Sequence, residues 1–254
     1  MRGFRAFFKK EFLEAVRTQK LTVLGLVFLL FGIMNPLVAK LTPEIVARFL
    51  PAGVTMSIPT PTALDSWAQF FKNVPQMGLI VLVVLFSGAM ANEFSRGTLI
   101  QPLTKGLTRA SVIAAKFLTT ALIWTGAYLL CALVTWGYTA YFWPDGAISN
   151  LFVALSGVWA FGVLLLSALM LGGVIWKSSY GCLLFAGFVV VLLAIFNIVP
   201  AAKAGNPILL ASGGMRLLSG IGASSDFILP FASLTGLVCA FLAGAALIFN
   251  RKAI

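Results

Sequence analysis

The chain has no histidine, only three cysteines, and a charge on only one residue in ten. Each scarcity excludes something. Without histidine, imidazole acid–base catalysis and most zinc sites are ruled out. Cys131, Cys182 and Cys239 stand far apart in apolar surroundings, which makes neither a disulfide framework nor a metal site. The seven acidic residues, Glu11, Glu14, Glu44, Asp65, Glu93, Asp145 and Asp226, lie at the ends of apolar segments or between them, and no two are placed as an acid/base pair inside one. A soluble domain is about a quarter charged. With 60% apolar residues and a mean hydropathy of +1.02, this chain is not one.

The charges that exist mark boundaries. None occurs between Lys20 and Lys40, Lys72 and Glu93, Lys116 and Asp145, Asp145 and Lys177, Lys177 and Lys203, or Asp226 and Arg251. A membrane-spanning helix needs ~20 mostly apolar residues, so these windows predict six. They fall near 21–39, 75–92, 112–141, 147–176, 180–199 and 227–249. The expectation is an all-α, polytopic membrane protein. Residues 1–20 form an amphipathic interfacial helix and 21–254 one six-helix domain, with external connections at 40–75 and 200–226. The first span follows a charged segment with no clear cleavage site, and is read as retained.

The net charge of +11 follows the same map. Arg2, Arg5, Lys9, Lys10, Arg17, Lys20, Arg96, Lys105, Arg109, Lys116, Lys177, Arg251 and Lys252 share one side, and only Lys40, Arg48, Lys72, Lys203 and Arg216 take the other. This bias places both termini in the cytoplasm. Basic charge here answers to anionic lipid headgroups rather than to nucleic acid.

At 3.6 residues per turn, Phe4, Phe7, Phe8, Phe12 and Ala15 share one face of a helix over 2–17, opposite Arg2, Arg5, Lys9, Lys10 and Arg17. Such a helix is expected in the headgroup plane. Glu11 interrupts the apolar face. Either it lies near the edge and reaches water, or it pairs with a basic group after the second span or with a partner.

The polar connection from Asn92 to Lys116 has its own punctuation. Gly97 can end a helix in the left-handed conformation. Thr98 can cap a short helix with Gln101 reaching back, Lys105-Gly106 ends it, and Thr108 can cap the next span near Arg109. Here Glu93-Phe-Ser-Arg-Gly97-Thr98-Leu99, then Leu103-Thr-Lys105, Thr108-Arg109 and Lys116, resembles the cytoplasmic loop of ABC transporter permeases of the type-2 exporter class, with the type V fold. Length, six spans and the basic N-terminal helix extend the likeness to the whole chain. Pro102, inside the short helix, departs from the pattern.

The resemblance implies a permease subunit in the bacterial cytoplasmic membrane that works with a second permease copy or paralogue. It implies two copies of a separate ATPase subunit, which carries the ATP and magnesium; no cofactor belongs to this chain. The connection over 92–111 would be the coupling element. Glu11, Glu93, Arg96, Gly97, Thr98, Lys105 and Arg109 would meet the ATPase. No phosphate-binding loop is present: Gly172-Gly-Val-Ile-Trp-Lys177-Ser178 mimics its tail, but Trp176 occupies the place of the second glycine. Spans without ionisable groups disfavour an ion-coupled carrier. They suit an apolar or amphipathic cargo such as a peptide, drug or lipid. A membrane anchor that recruits an ATPase without transporting is the alternative, and an ATP-independent carrier a more remote one.

Outside the membrane, Thr62-Ala-Leu-Asp65 predicts a capped helix with Leu64, Trp67, Phe70, Phe71 and Val74 on one face, resting on the outer leaflet before the chain turns in at Pro75. Its expected role is a packing cap on the bundle rather than a substrate lid. Phe142-Trp-Pro-Asp-Gly146 and Lys177-Ser-Ser-Tyr180 are tight turns. Asn35 and Asn197 are read as polar glue between helices. Ile208–Ala211 and Leu217-Leu218, among glycines, read as short re-entrant or interfacial helices. By the resemblance they flank an external gate, with Met215, Arg216 and Leu217 its candidate residues. Ala232, Gly236, Ala240 and Gly244 make a row of small residues in the sixth span, expected to pack within the chain rather than at a dimer seam.

Overall fold

The computed structural model describes residues 2–49, 59–98, 103–104, 106–146 and 148–252. Its regular structure there is wholly helical, and six helices are long and apolar enough to cross a membrane: Lys20–Val46, Ala63–Phe94, Arg109–Phe142, Leu151–Trp176, Ser179–Phe196 and Ser224–Arg251. These are spans one to six of an all-α membrane protein, preceded by the N-terminal helix Arg2–Arg17. Gln19, at φ 57°, breaks that helix from span one.

Span one is pinned to span three through its proline. Pro36 lacks an N–H and so frees the carbonyl of Gly32 one turn back. The Thr135 hydroxyl of span three donates to that carbonyl at 3.3 Å. A Cβ on Gly32 would lie 2.9 Å from Val134 Cβ and 3.1 Å from the Cys131 carbonyl. Only glycine lets the two backbones approach this closely. Beside it, buried Asn35 accepts from Asn73 of span two at 2.9 Å, so the polar-glue reading holds for Asn35.

Span two begins earlier than its charge-free window suggests. The Thr62 N–H donates to the Asp65 carboxylate at 2.7 Å, giving the expected cap. The helix Ala63–Asn73 does not rest on a leaflet. Trp67 and Phe70 are buried, Phe70 against the Tyr128 ring with centroids 5.8 Å apart, and Ser66 shares a 2.6 Å hydroxyl pair with Thr139. Nor does the chain turn at Pro75. A π-helical turn, Val74–Gly78, absorbs the proline and carries the helix into the membrane. The packing-cap reading is the one realised, because this apolar face finds aromatic partners inside the bundle.

Span four is the central helix. Span three donates to its backbone twice, from Trp124 Nε1 to the Trp159 carbonyl at 3.0 Å and from the Tyr128 hydroxyl to the Leu155 carbonyl at 2.7 Å. Gly162 lies flat on the Trp124 indole, where a Cβ would meet ring atoms at 2.5 Å. The turn at Trp143–Gly146 closes with a 3.1 Å bond from the Gly146 N–H to the Trp143 carbonyl, and Lys177, at φ 52°, ends span four.

Between spans five and six the chain forms short helices at Ile208–Ser212 and Gly214–Leu218. The first lies on span four at Gly157, and the second on Phe71 at Gly214. Asn206, buried, fastens the segment by donating to the Leu193 carbonyl at 2.6 Å and accepting from the Ile208 N–H at 3.0 Å. Of the gate candidates, Leu217 is core, Met215 half-buried and Arg216 exposed.

One packing expectation is reversed. Ala232, Gly236 and Ala240 face outward, and a Cβ on Gly236 would meet nothing within 4 Å. Only Gly244 touches the chain's own bundle, through Leu171. Span six instead turns Leu234, Ala245 and Phe249 inward, Phe249 stacking edge-on against Phe94 of span two.

Replacing Gly162 by Leu forces overpacking against Trp124, with an expected cost of about 1–3 kcal/mol and a lower Tm in detergent. The same change at Gly236 is expected to alter the monomer's Tm little. Thermal unfolding followed by tryptophan fluorescence checks both.

Candidate functional site

The end of the bundle beside the N-terminal helix, its inner end by the charge bias of the sequence, concentrates the buried charge of the described residues. Span two stops at Gly97, which adopts φ 64°, as its helix end requires. Gly106 takes φ 85°, and Thr108 then opens span three, its hydroxyl accepting from the Ser111 N–H at 3.2 Å. The expected break and restart are both present. Residues 99–102 and Lys105 lie outside the described residues, as does the Arg96 side chain, so the Thr98–Gln101 cap and two docking candidates stand as sequence readings only.

Arg109, a docking candidate by the sequence, is engaged within the chain. Its guanidinium reaches across to the end of span six, donating to the carbonyls of Phe249, Asn250 (3.3 Å) and Lys252 (2.5 Å) and lying 5.3 Å from the Phe249 ring centroid. The last carbonyls of a helix lack partners within it, and a cation there satisfies them. Lys252 does the same for span four, donating to Val174 at 2.6 Å and Ile175 at 2.7 Å. Spans three, four and six are tied at their inner ends.

Spans two and three and the N-terminal helix meet at an ion cluster. Lys116, one residue of the first turns of span three, is 3% exposed; Glu11 is 8% and Glu93 5% exposed. The Lys116 ammonium donates to Glu11 at 2.7 Å and to Glu93 at 3.1 Å. Lys10 lies at the cluster's open edge and reaches Glu93 at 2.9 Å, Glu14 at 3.0 Å and Glu11 at 3.1 Å. The second Glu93 oxygen accepts from the Thr98 hydroxyl. Carboxylate oxygens of Glu11, Glu14 and Glu93 lie within 4.8 Å of one another, and the Lys10 ammonium is the cation that joins them.

This placement resolves the two readings of Glu11 in favour of pairing: it meets the lysine at the far end of the connection. It also corrects the view of the N-terminal helix as lying on lipid by its aromatic face. Phe4, Phe7 and Phe8 pack with Leu103, Leu107, Val112 and Ile113. The outward face carries Arg5, Lys9, Phe12, Leu13 and Val16. Beside the cluster, an open cleft of about 960 Å³ runs between the N-terminal helix and the inner ends of spans two and three, lined in part by Lys10, Glu14, Lys20, Asn92, Thr98 and Ser111.

Of the seven predicted docking residues, the structure gathers Glu11, Glu93 and Thr98 at one point, with Gly97 beside them. Arg109 sits apart, its side chain turned to the end of span six. Lys10, Glu14 and Lys116 are the functional residues missing from that set. Lys116 had a signal, a lysine with no neighbouring charge entering an apolar run of almost thirty residues. Lys10 and Glu14 had none, because their spacing matches any solvated helix face.

Burial by itself lowers the Lys10 pKa, but Glu93, Glu14 and Glu11 outweigh it and raise it above the ordinary 10.5. A raised lysine contributes stability that is fully present below its unfolded pKa and is lost as pH rises through the folded value. The Lys10 contribution therefore persists across neutral pH and fades only above about pH 10.5.

No family model matches the chain. It is similar to YxlG, an uncharacterized transmembrane protein of Bacillus subtilis (strain 168), at 25% identity over 181 residues that cover 70% of each protein. The likeness agrees with a multi-pass membrane protein.

Lys116→Met leaves Glu11 and Glu93 buried with only the half-exposed Lys10 to balance them. The expected cost is roughly 3–5 kcal/mol, the range for breaking a buried ion pair by removing one partner. Arg5→Gln, on the outward face, is expected to change stability by less than about 0.5 kcal/mol. Thermal unfolding in the same detergent compares the two.

Proposed function

We propose that the chain is the membrane-spanning permease subunit of an ATP-driven exporter of the type-2 ABC class, set in a bacterial cytoplasmic membrane with both termini inside. One observation carries the reading. Glu93 is held at once by Thr98 of the connection, by Lys116 of span three and by Lys10 of the N-terminal helix. Glu93, Thr98 and Lys116 belong to the pattern that resembles the coupling loop, and Lys10 to the basic N-terminal helix that accompanies it. The arrangement gives a partner pressing on the connection a rigid purchase on two spans and on the helix that borders them.

The energy source lies on a separate ATPase, bound in two copies, since the sequence offers neither a phosphate-binding loop nor an ionisable group at mid-membrane for ion coupling. Docking falls to the exposed parts of the connection and to Arg96 and Lys105, with Glu11, Glu93 and Arg109 acting from behind as braces. ATP-driven closure moves the connection, spans two and three follow, and the segment 208–218 opens outward. The cargo is apolar or amphipathic, and a second permease copy or paralogue completes the pathway.

The test is co-purification with the ATPase encoded beside this chain, native and with Arg96→Glu plus Lys105→Glu. Reversing two rim charges is expected to weaken the complex about tenfold or more while leaving the fold intact. A native chain that captures no ATPase contradicts the reading. A complex whose ATP turnover never responds to cargo marks the chain as an anchor or sensor instead.

A further inference from the structure

We infer that the N-terminal helix is a releasable strap, closed over the inner ends of spans two and three by an ion seam in which every buried charge keeps a partner on its own side when the two sides part. The bundle side of the seam is Glu93 and Lys116, which pair at 3.1 Å. The strap side is Lys10 with Glu11 at 3.1 Å and Glu14 at 3.0 Å. Across the seam run two further bonds, Lys116 to Glu11 at 2.7 Å and Lys10 to Glu93 at 2.9 Å.

This division matters because a buried ion pair normally cannot be parted cheaply. Removing one partner strands a charge in a poorly solvated place. Here parting the strap from the bundle strands none: Glu93 keeps Lys116, Glu11 keeps Lys10, and the half-exposed Glu14 stays in water. The open cleft that Lys10, Glu14 and Thr98 line borders the seam, so the parted groups have space in which to be solvated. The apolar part of the contact is small: Phe4, Phe7 and Phe8 meet residues of span two, the connection and the start of span three, and Ala15 meets the main core. Span one continues from the strap through the positive-φ residue Gln19, a hinge that needs no helix to unwind.

The Thr98 hydroxyl places the seam under the control of the connection. It holds one Glu93 oxygen while the other receives both lysines. When the connection is drawn away, Glu93 is free to turn toward Lys116 alone, and the bond to Lys10 is given up. What draws the connection is the partner of the proposed function, and only in that clause does the strap rest on it.

The experiment needs no ATPase, so its failure leaves the co-purification result standing. Amide exchange is followed by mass spectrometry in phosphatidylcholine nanodiscs for the native chain, for Glu93→Lys with Lys116→Glu, and for that pair plus Lys10→Glu and Glu11→Lys. The first variant keeps the bundle pair but reverses its polarity, so the strap now faces like charges. Exchange across residues 3–16 is expected to rise about tenfold or more, with spans two and three unchanged, and to return toward native in the fourfold variant. Cross-linking gives a second readout in a Cys239→Ser background, using Gly3→Cys with Leu107→Cys at a contact of 3.6 Å. Its yield is expected to fall in the reversed pair and recover in the fourfold variant. Unchanged exchange in the reversed pair overturns the strap. So does failure of the fourfold variant to recover, and so does exposure of spans two and three along with the helix, since the bundle side would then not be balanced alone.

Discussion

An ammonium group removed from water costs several kcal/mol unless it is closely paired, and Lys116 is almost wholly removed from water. The inner end of the bundle is arranged around that cost. Span two stops where Glu93 can reach the lysine, the N-terminal helix lies where Glu11 can, and the connection begins with Thr98 on the far oxygen of Glu93. Three elements distant in sequence are thereby held in one register. Apolar contacts fill the space beside the cluster, but apolar contact is tolerant of sliding, and the charge pairs are not.

The rest of the membrane domain solves a separate problem. Prolines 36 and 75 lie inside spans, where each removes a backbone donor that lipid cannot replace. Span one passes its freed carbonyl to Thr135, and span two absorbs its proline in a π-turn. Around these points Gly32 and Gly162 allow backbone or indole to approach so closely that a methyl group would collide. The inner charge cluster and the outer polar contacts of Asn35, Asn73, Ser66 and Thr139 thus bracket an apolar middle.

Much of this was legible in the sequence. Charge-free windows located all six spans, Gly97 and Thr108 marked the ends of the connection, and Thr62 with Asp65 marked a helix start. What failed did so for identifiable reasons. Pro75 reads as a turn locally, but a π-turn is invisible to helical periodicity. The aromatic face of the N-terminal helix looks the same whether lipid or protein covers it, and only Glu11 hinted at protein. The small-residue row of span six faces outward, since spacing tells which residues share a face and not what that face meets. Arg109 reads as a loop charge because its partners, backbone carbonyls of residues 249–252, leave no mark in a sequence.

The central claim is that Glu11 and Lys116 are energetically coupled across the seam. A double-mutant cycle with Glu11→Gln, Lys116→Met and both together, followed by reversible unfolding in detergent, measures that coupling directly. The account predicts strong non-additivity, with an interaction energy above about 1 kcal/mol. Additive effects within about 0.3–0.5 kcal/mol would contradict it and leave the N-terminal helix held by its apolar face and the Lys10–Glu93 pair.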